Sequence, residues 1–323
     1  MLDDLISRKI KIISFVAMVA VVAWHCECGA EVERWFIPWV THWSVPWFFA
    51  VSGFFFVKTA ERVSIIEFFR KKTKTLLVPY LFWCAFGWSL WQPEVVGWGG
   101  SIFGLSSSTF PSGNLPMWYV RALIVFMVGG ILVYPICLRV NNLWMRFALF
   151  ALVVIGVRLF FHSYHVAISP GSSVYYFLLG CVIAIWKVDL RTDMKSNRSR
   201  AIMCAAAFLS ATLIRSVFVS HVMLNISIVF MLIAIWWFVD IVVKSQCLNG
   251  LVELTSGIYF VHDPFRRMFD KYFAQDIYCA LSTWQLNMYY FIRIVVLFAF
   301  AASLVYALKR FIPRFSIVVF GGR

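Results

Sequence analysis

Residues 10–25 read IKIISFVAMVAVVAWH. Past Lys11 the run carries no formal charge, and its polar-capable groups before His25 are Ser14 and Trp24. From Lys11 to His25 is 14 residues, or about 21 Å of α-helix at 1.5 Å per residue. A bilayer-spanning helix needs about 17–25 mainly apolar residues. The stretch therefore reads as a first membrane span over about 10–27. The pattern recurs at about 43–58, 76–92, 116–137, 144–162, 172–187, 200–220, 223–243, 250–262 and 286–308. The second, sixth and ninth of these ten are short. Of the 323 residues, 62% are hydrophobic, 19% aromatic and 14% charged, and the mean hydropathy is +0.83. Soluble domains carry about 45–50% apolar and about 25% charged residues. A soluble globular enzyme, a disordered chain and a secreted disulfide scaffold are excluded. The expected fold is all-α: a polytopic integral membrane protein of about ten transmembrane helices, with 1–323 as a single transmembrane domain.

The net charge is +14. With the N-terminus inside, the cytoplasmic segments hold 21 Lys and Arg and the outer segments 4, while the loop 93–115 has none. That asymmetry predicts an N-in, C-in, multi-pass protein of the inner (plasma) membrane. It also accounts for the basic excess without a nucleic-acid partner. All six histidines then fall toward the outer face. No cleavable signal peptide is expected, because the first run ends in Trp24-His25-Cys26. Among the eight cysteines, Cys26-Glu27-Cys28 has no second pair at zinc-ligand spacing, so no metal site is expected. A disulfide from Cys279 to Cys26 or Cys28 stays open.

Several residues stand out against this apolar background. His25 sits near the outer end of span 1, and an ionisable group inside a membrane is costly unless it has a use. Its near-neutral pKa suits a general base; the bland reading is an interfacial histidine beside Trp24. Arg121, about one turn into span 4, is a candidate for oxyanion stabilisation or a snorkelling arginine. Arg158, Arg215 and Arg293 lie near the outer interface, where snorkelling is the simpler account. Ser52-Gly53 lies mid-span, where small residues point to close helix packing. His262 ends span 9. The segment 59–75, TAERVSIIEFFRKKTKT, alternates apolar and basic residues and reads as a short helix on the cytoplasmic surface. It is either an anchor on anionic lipid or a cradle for a phosphorylated ligand such as coenzyme A.

In order, these stretches resemble acyltransferase family 3. The anchors are an N-terminal span ending in Trp24-His25, Val45 to Phe54 (VPWFFAVSGF), Phe68 to Trp83 (FFRKKTKTLLVPYLFW), Met117 to Leu123 (MWYVRAL) and Gly257 to His262 (GIYFVH). Each is loose alone; the ordered set covers nearly the whole chain. The resemblance implies a ten-helix fold and an O-acyltransferase that moves an acyl group, most commonly acetyl, from acyl-CoA to a surface or lipid-linked glycan. It implies His25 as the essential histidine and Arg121 as the fourth-span arginine. Many members carry an arginine eleven residues before that histidine; here the position is Ser14, and members of the branch this chain resembles often lack it.

The expected catalytic residues are His25 and Arg121. The expected substrate-binding residues are Ser52, Tyr80, Trp118 and His262. Arg8, Lys11, Arg70, Lys71, Lys72 and Lys74 are expected to hold acyl-CoA, a co-substrate and not a tightly bound cofactor. The expected partners are the lipid bilayer, acyl-CoA and a glycan acceptor. The competing class is a transporter or flippase of an anionic or glycan substrate.

Overall fold

The computed structural model describes residues 4–91, 117–163, 173–190, 197–217, 220–242, 249–274 and 281–321. The basic-free loop 93–115 and Cys279 lie outside them. Among the described residues every regular element is a helix. They are α1 (Asp4–His25), α2 (Glu33–Phe36), α3 (Ser44–Ala60), α4 (Ile65–Lys72), α5 (Val78–Trp91), α6 (Met117–Leu138), α7 (Leu143–Ser163), α8 (Ser173–Ile185), α9 (Asn197–Val217), α10 (His221–Val242), α11 (Asn249–Val252), α12 (Thr255–Phe269), α13 (Thr283–Phe311) and α14 (Pro313–Phe320). Short π-helical turns lead into α3 and α5 and follow α12.

Among the described residues, four helical stretches are long and apolar enough to cross a bilayer: Trp39–Ala60, Met117–Leu138, His221–Val239 and Thr283–Phe311. Ser173–Ile185 and Ala201–Arg215 are shorter apolar helices. Each expected span overlaps a helix, but the count of ten rests on the sequence. The reason is visible in α1 and α5. The first carries Arg8, Lys9 and Lys11 within its own length, and the second has only 14 residues.

The chain forms two compact units. Unit 1 is Met1–Phe48, Val188–Thr255 and Ser282–Ile294; unit 2 is Phe49–Lys187, Ser256–Leu281 and Val295–Arg323.

In unit 1, α9 lies along α10, and α1 also packs on α10. Lys9, only 1% exposed, places its ammonium 3.9 Å from the centre of the Trp236 ring. A desolvated cation–π contact of this kind is worth about 2 kcal/mol or more. The indole of Trp47 donates to Ser14 Oγ at 3.0 Å and its ring lies 6.2 Å from that of Trp236. After α1 the chain turns at Gly29, whose φ of 83° suits glycine. The Glu33 carboxylate accepts from the backbone N–H of Cys28 (2.8 Å) and Gly29 (3.2 Å), which ties the turn to the start of α2.

In unit 2, α3 and α8 touch backbone to backbone. A Cβ on Gly53 would collide with the Phe177 carbonyl, and one on Gly180 with the Ala50 carbonyl. The Cys181 thiol donates to the Gly53 carbonyl at the same crossing. This is the close packing that Ser52-Gly53 led us to expect. Phe56, fully buried, meets Phe68, Phe150 and Phe177 at ring separations of 5.6–5.8 Å. The amphipathic stretch is shorter than the 59–75 expected. Ser64 caps α4 by accepting from the Glu67 N–H at 3.3 Å, so the helix starts at Ile65. Phe68 is buried, Ile66 is 82% exposed, and Arg70, Lys71 and Lys74 are exposed.

Candidate active site

The candidate residues fall in both units, and each group is built by its own helices. In unit 1, His25 is the last residue of α1 and is half-buried. Next to it Trp24 lies 4.8 Å from the His42 ring. The Arg215 guanidinium donates to His42 Nδ1 at 3.1 Å and sits 4.9 Å from the Trp39 ring. A guanidinium can only donate, so that nitrogen of His42 is the unprotonated one. Arg293, 4% exposed, donates to the Glu27 carbonyl at 3.2 Å. Arg215 and Arg293 thus both make contacts within the protein. Arg8 is half-buried and Lys11 exposed on α1, with Lys9 buried between them.

Unit 2 gathers Ser52, Tyr80, Trp118, Arg121 and His262 into one polar cluster, in which Tyr80, Arg121 and His262 are buried and Ser52 and Trp118 half-buried. Arg121, 7% exposed on α6, faces the hydroxyl of Tyr80 and the thiol of Cys84 on α5. Ser52 on α3 shares a hydrogen bond with the Tyr119 hydroxyl at 3.2 Å. The Tyr119 ring stands 5.6 Å from that of Tyr259 on α12, and Tyr259 lies 6.1 Å from His262. Phe49 packs between Trp118 (6.1 Å) and Tyr119 (4.8 Å). Ser52, Tyr80, Trp118, Arg121 and His262 are thereby brought into one neighbourhood. Arg70, Lys71, Lys72 and Lys74 stand apart on α4 and the turn after it. Lys71 pairs with Glu67 at 2.7 Å, with both side chains about half exposed; such a surface pair adds about 0–1 kcal/mol.

His262 and Asp263 are fully buried. His262 Nδ1 donates to the Ile258 carbonyl at 3.1 Å, which leaves Nε2 as the basic nitrogen of the neutral ring. Asp263 accepts from Arg266 at 2.8 and 3.0 Å on one oxygen and from Arg267 at 3.0 Å on the other. Arg266 also reaches Asp270 at 2.8 Å. The sequence reading missed Tyr119, Tyr259, Cys84 and Asp263. Tyr259 precedes His262 by one helical turn, a spacing that could have found it.

Outside the spans, burial first and the Glu33 carboxylate second push the Cys28 thiol up to about 12. Among the described residues no group of three His, Cys, Asp or Glu side chains is placed to hold a metal ion.

The sequence matches the acyltransferase domain of family 3 over residues 9–310. The chain belongs to the acyltransferase 3 family. Searches of the curated proteins and of the solved structures find no match. This acyltransferase 3 chain is thus a multi-pass membrane protein whose family domain runs through both units. Four of the family anchors named above contribute to the polar cluster of unit 2: Ser52, Tyr80, Trp118 with Arg121, and His262. The fifth, Trp24-His25, ends α1 in unit 1.

Proposed function

We propose that the protein moves an acyl group, most simply acetyl, from cytoplasmic acyl-CoA to a hydroxyl of a cell-surface or lipid-linked glycan at the inner membrane. The observation that carries this reading is the family match across residues 9–310. Arg8, Lys11, Arg70, Lys71, Lys72 and Lys74 hold the donor phosphates. Ser52, Tyr80, Trp118 and His262 bind substrate around the reacting groups. His25 takes the proton of the acceptor hydroxyl as general base. The oxygen attacks the thioester carbonyl, and Arg121 offsets the charge that builds on the carbonyl oxygen. The C–S bond then breaks, and coenzyme A leaves as a thiolate that takes up a proton.

The test uses purified full-length protein, acetyl-CoA labelled in the acetyl group and a glycan extract from the membranes of the source cells. Label enters glycan with the wild type and not with His25→Ala. Equal labelling by both proteins overturns the assignment of His25. Flux of glycan across reconstituted vesicles with no loss of thioester overturns the acyltransferase reaction in favour of a carrier.

A further inference from the structure

Where α1 ends, unit 1 builds a second feature. Glu31, Val32, Arg34 and Asn287 line a cleft of about 300 Å3. That volume is at the small end of ligand sites, which run to about 300–1,000 Å3. Its chemistry is mixed and balanced. Glu31 offers carboxylate acceptors and Arg34 only donors, and their charges cancel. Asn287 is already oriented, because its Oδ1 accepts from the Val32 N–H at 3.0 Å. The amide nitrogen therefore stands on the other side of the group with two donors. Such a lining favours neither an anion nor a cation. It fits a small neutral ligand rich in hydroxyls, each of which can donate and accept.

An exposed aromatic residue lies one helical turn from Asn287. Trp284 precedes Asn287 by three residues on α13, which puts both on one helix face, and its side chain is 67% exposed. An exposed indole offers a flat apolar surface with a polar edge, suited to the C–H face of a sugar ring. The cleft is also held firmly. The Tyr290 hydroxyl donates to the Ala23 carbonyl at 3.0 Å, and Arg293 to the Glu27 carbonyl at 3.2 Å. Together with the Asn287 bond these pin the start of α13 to residues 23–32. Glu31 itself follows His25 by six residues.

We propose that this cleft binds one hexopyranose unit of the acceptor, its ring stacked on Trp284 and its hydroxyls on Glu31, Arg34 and Asn287. This rests on the reading of the acceptor as a glycan. The experiment is saturation-transfer NMR on the detergent-solubilised full chain with the methyl α-pyranosides of glucose, galactose and mannose. At least one receives saturation, strongest at its ring C–H protons. Its affinity falls about tenfold in Trp284→Ala and in Glu31→Gln, equivalent to about 1.4 kcal/mol, and Trp284→Phe retains binding. Melting temperatures measured alongside must match the wild type. With the glycan extract, the same variants raise the acceptor KM and leave the acetyl-CoA KM unchanged. No transfer to any of the three sugars, or binding untouched by both variants, overturns the cleft. Loss of the cleft with His25-dependent labelling intact leaves the acyltransferase reading standing; sugar binding without thioester consumption does the reverse.

Discussion

At the residue scale, the decisive groups are charges and protons held away from water. Arg121 is nearly buried beside Tyr80 and Cys84, where its charge is poorly screened. Losing one donor to a developing oxyanion costs about 10²–10³ in rate. Arg121→Gln is expected to lower kcat by that factor with a smaller change in acyl-CoA KM, and Arg121→Lys to recover part of it; steady-state kinetics check both. Cys28 gives a pH test. Its thiol is raised to about 12, with Glu33 second to burial among the causes. Raising a thiol pKa keeps it protonated, so alkylation by iodoacetamide should still be climbing at pH 9. Glu33→Gln removes the carboxylate, lowers that pKa and should speed the reaction at pH 8; an unchanged rate contradicts the account. Parts of this were legible in the sequence, because Arg121 stands inside an apolar run where a charge is costly. The burial of Lys9 was not. It depends on Trp236, distant in the chain, and the lysine looked like one more basic flank.

At the element scale, α3 and α8 share a tight crossing in unit 2, with Gly53 and Gly180 each against the other helix's backbone. Gly53→Ala and Gly180→Ala should each lose about 1–3 kcal/mol, the usual cost of overpacking. A fall in detergent melting temperature, with Gly156→Ala as the control in open space, measures it. The sequence suggested this contact through Ser52-Gly53, but not its partner. It also ended the ninth span at His262 and took Asp263-Pro264 for a loop. Helix α12 runs on to Phe269. Continued past the proline, the i, i+3 and i, i+4 spacing of Asp263 with Arg266 and Arg267 would have been readable as a helical charge cluster.

At the scale of the whole molecule, composition settles the class, and periodicity finds the helices better than it counts the crossings. Apolar length marks a span clearly only where charges are few, which is why α6, with Arg121 as its one charge, α10 and α13 are plain and α1, with Asp4, Arg8, Lys9 and Lys11, is not. The topology has its own test. With both termini cytoplasmic, alkaline phosphatase fused after Arg323 should be inactive and a cytoplasmic reporter there active. Insertion of the phosphatase between Asp270 and Ser282 should give the opposite result. Active phosphatase at the C-terminus would overturn the N-in, C-in arrangement.

The crossing of α3 and α8 has a mechanical side. Two helices separated by side chains can slide or part as rotamers change, but where carbonyl meets glycine no soft layer remains to yield. Ser52, next to Gly53, is therefore mounted on a fulcrum. Any rearrangement within unit 2 falls to its other walls, while this hydroxyl keeps still.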